Sequence, residues 1–249
     1  MKNIPVRRIA ATTREVSSGG RFSIRSLQQI LNGKDLVHDL HRHDFFFILV
    51  LEKAEGVHEI DFVPFAAHDQ SIFLLRPGQV HMLELKSGSS GFLLEFDQAF
   101  YRPRDASADQ RWKKAFIRNY CKTDNEGFSK LFTFITTVFN EYTDKQEGYA
   151  EAIRAGLDLF FIEYIRQSRN PNFSVPGNNP YSQDRFEELT QLLEANIGSM
   201  KNVSQYADLL HLSPYQLNSI TKASVGKTVS ELINEQIILE AKRFLLATA

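Results

Sequence analysis

His41 and His43 stand one residue apart in the apolar run HRHDFFFILVLEK, and His81 follows Pro77-Gly78 by three positions. Neutral imidazole nitrogen is a good ligand for zinc, iron or copper. Side chains alternate across a strand, so His41, His43, Phe45 and Phe47 share one face. With His81, they could build a three-histidine metal site. The rest of that face is apolar, which suits a small organic ligand better than catalysis. His41, His43, Phe45, Phe47 and His81 are therefore read as ligand-contacting residues, with no metal and no cofactor. The chain shows no phosphate-binding loop, no nucleophile elbow and no zinc-type cysteine spacing. Its single cysteine, Cys121, excludes an internal disulfide framework and fits a reducing compartment.

The elements that must position these residues fall into three segments. At 249 residues the chain is long enough for two domains. Its 43% hydrophobic and 24% charged fractions are those of a soluble globular protein. Residues 20–100 read as short strands rich in Phe, Ile, Val and Leu, separated by Gly, Pro, Asp and Ser, the punctuation of a β-sandwich or barrel. Pro77-Gly78 fits a type II turn. From 108 to 168 the period becomes helical: Phe128, Leu131, Phe132, Ile135, Val138, Phe139 and Tyr142 form one stripe, and Ile153, Leu157, Phe160, Phe161, Tyr164 and Ile165 another. These faces can pack on their own barrel or against a second copy of the chain.

The stretch SRNPNFSVPGNNPYSQ, with three prolines and several Asn and Ser, is read as a linker over 169–183. A second helical region begins at Asp184. The expected organisation is a barrel over 1–107, a helical dimerisation region over 108–168, the linker, and a helical domain over 184–249. The fold class is α+β.

The most informative stretch is NVSQYADLLHLSPYQLNSITKASVGKTV. Asn202 and Gln205 have capping-box spacing, and Val203, Tyr206, Ala207 and Leu210 give a short helix one apolar face. Ser213-Pro214 opens a second helix, with serine as N-cap and proline where its missing N–H costs nothing. Two short helices joined by a tight turn make a helix-turn-helix, whose second helix can enter the major groove of DNA.

The continuation resembles the arabinose-operon-regulator (AraC/XylS) family of transcription regulators. The resemblance is carried by Ser213, Pro214, Leu217, Lys222, Gly226, Lys227, Ala241, Lys242, Arg243, Leu245 and Leu246. It implies a first helix-turn-helix followed by a linker helix, with groove-facing positions at Tyr215, Gln216, Asn218, Ser219 and Lys222, and with Lys227 as a further DNA-binding residue at the end of the motif. Gln216 and Asn218 suit adenine edges, and Lys222 suits phosphate or guanine. Many members carry Arg at Ser219, Phe at Thr221, Gly at His211 and Arg at Ile237. Without those arginines, phosphate contacts are lost. Residues 184–249 hold six Lys or Arg against eight Asp or Glu, a net of −2, so only 213–229 is locally basic. The family pattern continues into a second helix-turn-helix, whereas this chain stops at Ala249. The resemblance therefore implies an incomplete, weakly binding DNA-binding domain.

At the other end, His41-x-His43, Gly56 and Pro77-Gly78-x-x-His81 resemble the two motifs of the cupin barrel. Metal-binding cupins usually add a Glu where Phe47 stands. A cupin-like sensor followed by a helical region and a DNA-binding domain is the order expected of AraC-type regulators.

The expected function is thus a sequence-specific DNA-binding transcription regulator, not an enzyme. Its partners are promoter or operator double-stranded DNA, a small-molecule effector in the barrel, and a second copy of itself through helices 128–168. The alternative is a metal-dependent cupin enzyme with an accessory helical tail. The longest uncharged apolar run, Phe45 to Leu51, has seven residues against the roughly 20 a membrane helix needs. No membrane partner and a cytoplasmic location are expected.

Overall fold

A computed structural model of the chain describes residues 5–7, 20–168 and 180–248. They form two compact units, divided near residue 170. In the first, strands β1 (Val6–Arg7), β2 (Phe22–Ser26), β3 (Leu36–His43), β4 (Phe46–Lys53), β5 (Gly56–Ile60), β6 (Val63–Ala67), β7 (Ser71–Leu75), β8 (Val80–Leu85), β9 (Ser90–Phe96) and β10 (Tyr120–Lys122) make two five-stranded sheets. Their orders are β1-β3-β8-β5-β6 and β10-β7-β4-β9-β2. A short helix, α1 (Leu27–Leu31), follows β2. The sequence reading of a barrel therefore resolves into two facing sheets, not one closed ring.

The single apolar run HRHDFFFILVLEK is divided between those sheets. β3 ends at His43 and β4 starts at Phe46, so Asp44-Phe45 is where the chain leaves one sheet for the other. Inward alternation survives the crossing: His41, His43, Phe45 and Phe47 are all buried. Phe45 and Phe47 join Leu49, Leu51, Phe73, Leu75, Leu83, Leu85 and Leu93 in a core between the sheets. Gly78 takes φ +87°, as the second central residue of a type II turn requires. At Gly56, a Cβ would lie 2.0 Å from the Glu84 carbonyl oxygen, so a larger residue there would push β5 off β8.

Three helices, α2 (Ala106–Ala115), α3 (Asn125–Asp144) and α4 (Tyr149–Ser168), follow. Their stripes bury Trp112, Phe128, Leu131, Ile135, Val138, Leu157, Phe160 and Phe161 with Ile48, Val50, Ile72, Leu74, Phe92, Leu94 and Phe96 on the outer face of the second sheet. The helical faces are thus spent largely on their own unit. β10 corrects the helical reading of this region, because Tyr120–Lys122 pairs antiparallel with β7.

The second unit contains α5 (Pro180–Asn196), α6 (Val203–Leu209), α7 (Pro214–Val225) and α8 (Val229–Thr248). Leu189, Leu193, Tyr206, Ala207, Leu210, Leu217, Val229 and Ile233 form its core. The helix starts at Pro180, so the linker reading fails for 180–183. Its remainder, 169–179, lies outside the described residues.

Candidate functional site

Between the sheets, strand alternation on β3, β5 and β8 brings five histidines near one another. His41, His43, His58 and His81 are buried. The ring centroids of His41 and His81 are 4.3 Å apart, those of His43 and His81 4.7 Å, and those of His58 and His81 5.1 Å. His38 meets His41 edge-on at 5.8 Å. Phe45 and Phe47 wall the cluster, with centroids 4.2 Å and 5.5 Å from that of His43. All five residues expected to contact a ligand in the barrel, His41, His43, Phe45, Phe47 and His81, therefore meet at one place.

The hydrogen bonds inside the cluster are specific. His41 Nδ1 lies 2.6 Å from the Asp39 carbonyl oxygen. His43 Nε2 and His81 Nε2 are 2.6 Å apart, and His58 Nε2 lies 2.9 Å from His81 Nδ1. His41 Nε2, His43 Nδ1 and His58 Nδ1 are buried without a partner. Burial penalises the charged imidazolium, pushing His43 and His58 down to about 3 and His38 to about 4, and lowering His41 and His81 as well. The positive charges of neighbouring rings and of Arg7 add to the effect on His43. The rings are neutral and able to donate lone pairs.

His58 was not among the expected site residues. Its signal is the alternation of GVHEI, where His58 and Ile60 are buried. Glu95 was also missed. It lies directly across from Phe47 on β9, and burial raises its pKa while Arg25 pairs with it at 3.3 Å.

In the second unit, α6 and α7 form the expected helix-turn-helix. Ser213 caps α7 with Pro214 in the first turn, and the Ser213 N–H and Oγ–H both donate to Gln216 Oε1 at 2.9 and 3.0 Å. Gln205 Oε1 likewise accepts from the Asn202 N–H at 3.1 Å. The Tyr206 hydroxyl donates to the Met200 carbonyl at 2.8 Å, tying α6 to the preceding loop. His211, where many family members have glycine, takes φ +54° in the turn between the helices.

Tyr215 is 84% exposed, and Gln216, Ser219 and Lys222 are exposed beside it along α7. Tyr215, Gln216 and Ser219 line one shallow surface groove with Tyr181, Leu212 and Ala223. Asn218 is placed differently. It is half-buried, its Nδ2 donates to the Pro214 carbonyl at 3.0 Å, and its Oδ1 accepts from the Val229 N–H at 3.0 Å. It caps the first turn of α8. Lys227 sits in an ion pair with Glu235 at 2.7 Å, beyond the polar row of α7.

The AraC-like ligand binding domain matches residues 29–132, the span holding the whole histidine cluster. The transcriptional activator RhaS of Pectobacterium atrosepticum is 26% identical over 213 residues, covering 82% of this chain and 72% of that protein. Over most of its length the chain is thus similar to AraC-type transcription regulators, and residues 29–132 match the ligand binding domain of that family. Another relative, the uncharacterized HTH-type transcriptional regulator YfiF of Bacillus subtilis, is 23% identical over 220 residues, 84% of this chain and 67% of that protein. Among solved structures, fatty-acid-bound ToxT from Vibrio cholerae superposes over 95% of this chain and 84% of that one. The identity is 13% and the TM-score 0.39, too loose to place any residue.

Proposed function

We propose that this AraC-type chain is a DNA-binding transcription regulator in which α7 reads the major groove of double-stranded DNA and a small-molecule effector between the two sheets controls that binding. One observation carries the reading: α7 is capped at Ser213, anchored through buried Leu217, and presents Tyr215, Gln216, Ser219 and Lys222 to solvent on a helix-turn-helix. Gln216 spends its carbonyl oxygen on the cap, so its amide N–H groups are what it can offer a base. Asn218 holds α8 in place and acts as a positioning residue.

Lys222 is the cation beside that row. Affinity rises with the phosphates neutralised, so the expected binding is weak and strongly salt-dependent. An effector shifts it only by binding two conformations with different affinity. The relatives' names as transcriptional regulators support a regulator over an enzyme. No helix among the described residues is long and apolar enough to cross a membrane, which fits the proposed cytoplasmic location.

A homodimer through helices 128–168 is part of this reading. It is supported by the apolar rim that packing on the sheet leaves, with Leu159 49% exposed and Phe132 and Phe139 only partly covered. Sedimentation tests it: Leu159→Glu should shift the chain towards monomer, and an unchanged mass would remove this interface.

The test of the main reading is selection of bound duplexes from a random pool by the full chain at low salt. A recurring motif that Tyr215→Ala and Ser219→Ala redistribute is the expected result. Enrichment that does not depend on sequence would overturn the reading.

A further inference from the structure

The exposed row of α7 forms only one side of the shallow surface groove beside it. The other side is the first turn of α5, through Tyr181 and Ser182. Ile220 and the half-buried Leu212 give the groove an apolar base. Hydroxyl and amide groups of Tyr181, Ser182, Tyr215, Gln216 and Ser219 stand around it. None of the described residues lining it is acidic, although residues 184–249 hold eight Asp or Glu against six Lys or Arg. A polyanion laid there meets no carboxylate. The groove on the first unit is the opposite case, with Asp35, Glu55 and Glu84 in its lining. Tyr181 is 55% exposed, and the Arg185 guanidinium lies 5.7 Å from its ring centroid while pairing with Glu188 at 2.7 Å. That stacking restrains the Tyr181 ring and leaves its hydroxyl at the surface.

We propose that Tyr181 and Ser182 of α5 hold the sugar–phosphate strand bordering the major groove that α7 reads. Their hydroxyls donate to phosphate oxygen, and Leu212 and Ile220 pack against the apolar edge of the deoxyribose. The inference rests on the reading of α7 as the recognition helix and adds a second element to that interface. Continuity argues for this occupant: Tyr215 and Ser219 belong both to the row offered to bases and to the lining of the groove. A helix seated in a major groove about 12 Å wide is flanked by phosphate strands, so a duplex on α7 also covers the start of α5. Serine and tyrosine hydroxyls are ordinary phosphate donors, and such contacts fix orientation without carrying sequence information. Neutral donors matter here because Lys227 is already paired with Glu235 and Lys222 is the cation beside the row.

The test is fluorescence-anisotropy titration of the full chain with its selected duplex and a scrambled one, each also made with a methylphosphonate at one backbone position at a time. Tyr181→Phe and Ser182→Ala each remove one hydroxyl and should weaken binding to both duplexes about 2–10-fold. The preferred motif and the slope of log affinity against log salt should not change, because a neutral donor releases no counterion. In the wild type, one methylphosphonate flanking the motif should be costly; in the double variant the same position should cost nothing further. Ala223→Glu should weaken binding to both duplexes, and Ala223→Lys should tighten it with a salt slope steeper by about 1. Urea midpoints equal to that of the wild type separate a lost contact from lost folding. A folded double variant that binds both duplexes as tightly as wild type, or that keeps the wild-type methylphosphonate profile, would overturn the proposal. Intact sequence preference with an indifferent double variant counts against the strand contact alone, whereas a wild type with no sequence preference counts against the regulator reading.

Discussion

In the N-terminal unit the histidines lie between two sheets with ring nitrogens left unmatched, whereas in the C-terminal unit the polar residues of α7 stand at the surface. Asn218, Gln216 and Lys227 there already have partners within the fold. Burial makes the first site chemically sharp, because each unmatched nitrogen is costly until something occupies it. Exposure makes the second adaptable, but its side chains are shared between holding the helices and meeting a partner. A buried site announces its occupant through deficits. A surface site has to be read by subtracting what the fold consumes.

The largest expected difference between the units is with pH. Folded His43 and His58 stay neutral down to about 3, while the unfolded chain takes up protons near the ordinary histidine value of 6.5. The unfolded state therefore binds more protons in between, so stability is full above 6.5 and falls as pH drops towards 3. Metal-free protein followed by tryptophan fluorescence should show this, because Trp112 lies in the first unit's core. An acid transition of Trp112 that begins only below about pH 3 would contradict the neutral cluster.

The next effect belongs to the second unit. Leu217→Ala removes a fully buried side chain from the middle of α7 and should cost about 2–5 kcal/mol in chemical denaturation. The Trp112 transition should not move. A smaller pair separates holding from reading. Asn218→Ala should cost about 1 kcal/mol of stability by uncapping α8 while preserving the preferred DNA motif. Lys222→Ala should leave stability unchanged and reduce the slope of log affinity against log salt by about 1. Interchange of those two phenotypes would reverse the roles of Asn218 and Lys222. The smallest effect is a gain: His211→Gly relieves a left-handed backbone position and should stabilise the unit by about 0.5–1 kcal/mol, read as a higher denaturation midpoint.

How legible each feature was in the sequence follows the same division. Alternation alone placed His41, His43, Phe45 and Phe47 on one face, and it held even where Asp44-Phe45 passes between sheets. The caps at Ser213 and Asn202 were legible because they are local. His58 was not, since its partner His81 is 23 residues away and only strand pairing joins them. Asn218 looked like a base reader because spacing on a helix cannot show that α8 returns to take its carbonyl oxygen. β10 hid in a helical region because Tyr120–Lys122 is too short for a period to show, and it is a strand only by pairing with β7. Pro180 was read as part of a linker because proline and asparagine precede it, although proline also opens helices.

The most direct measurement is the affinity of the full chain for its selected duplex and for a scrambled one of equal length, at several salt concentrations, with wild type and Lys222→Glu side by side. The account predicts a sequence preference in the wild type that survives rising salt better than the binding to scrambled DNA, and weaker binding to both duplexes in Lys222→Glu with the fold intact. Equal affinity for both duplexes at every salt concentration, or a Lys222→Glu variant that binds as well as wild type, would contradict it.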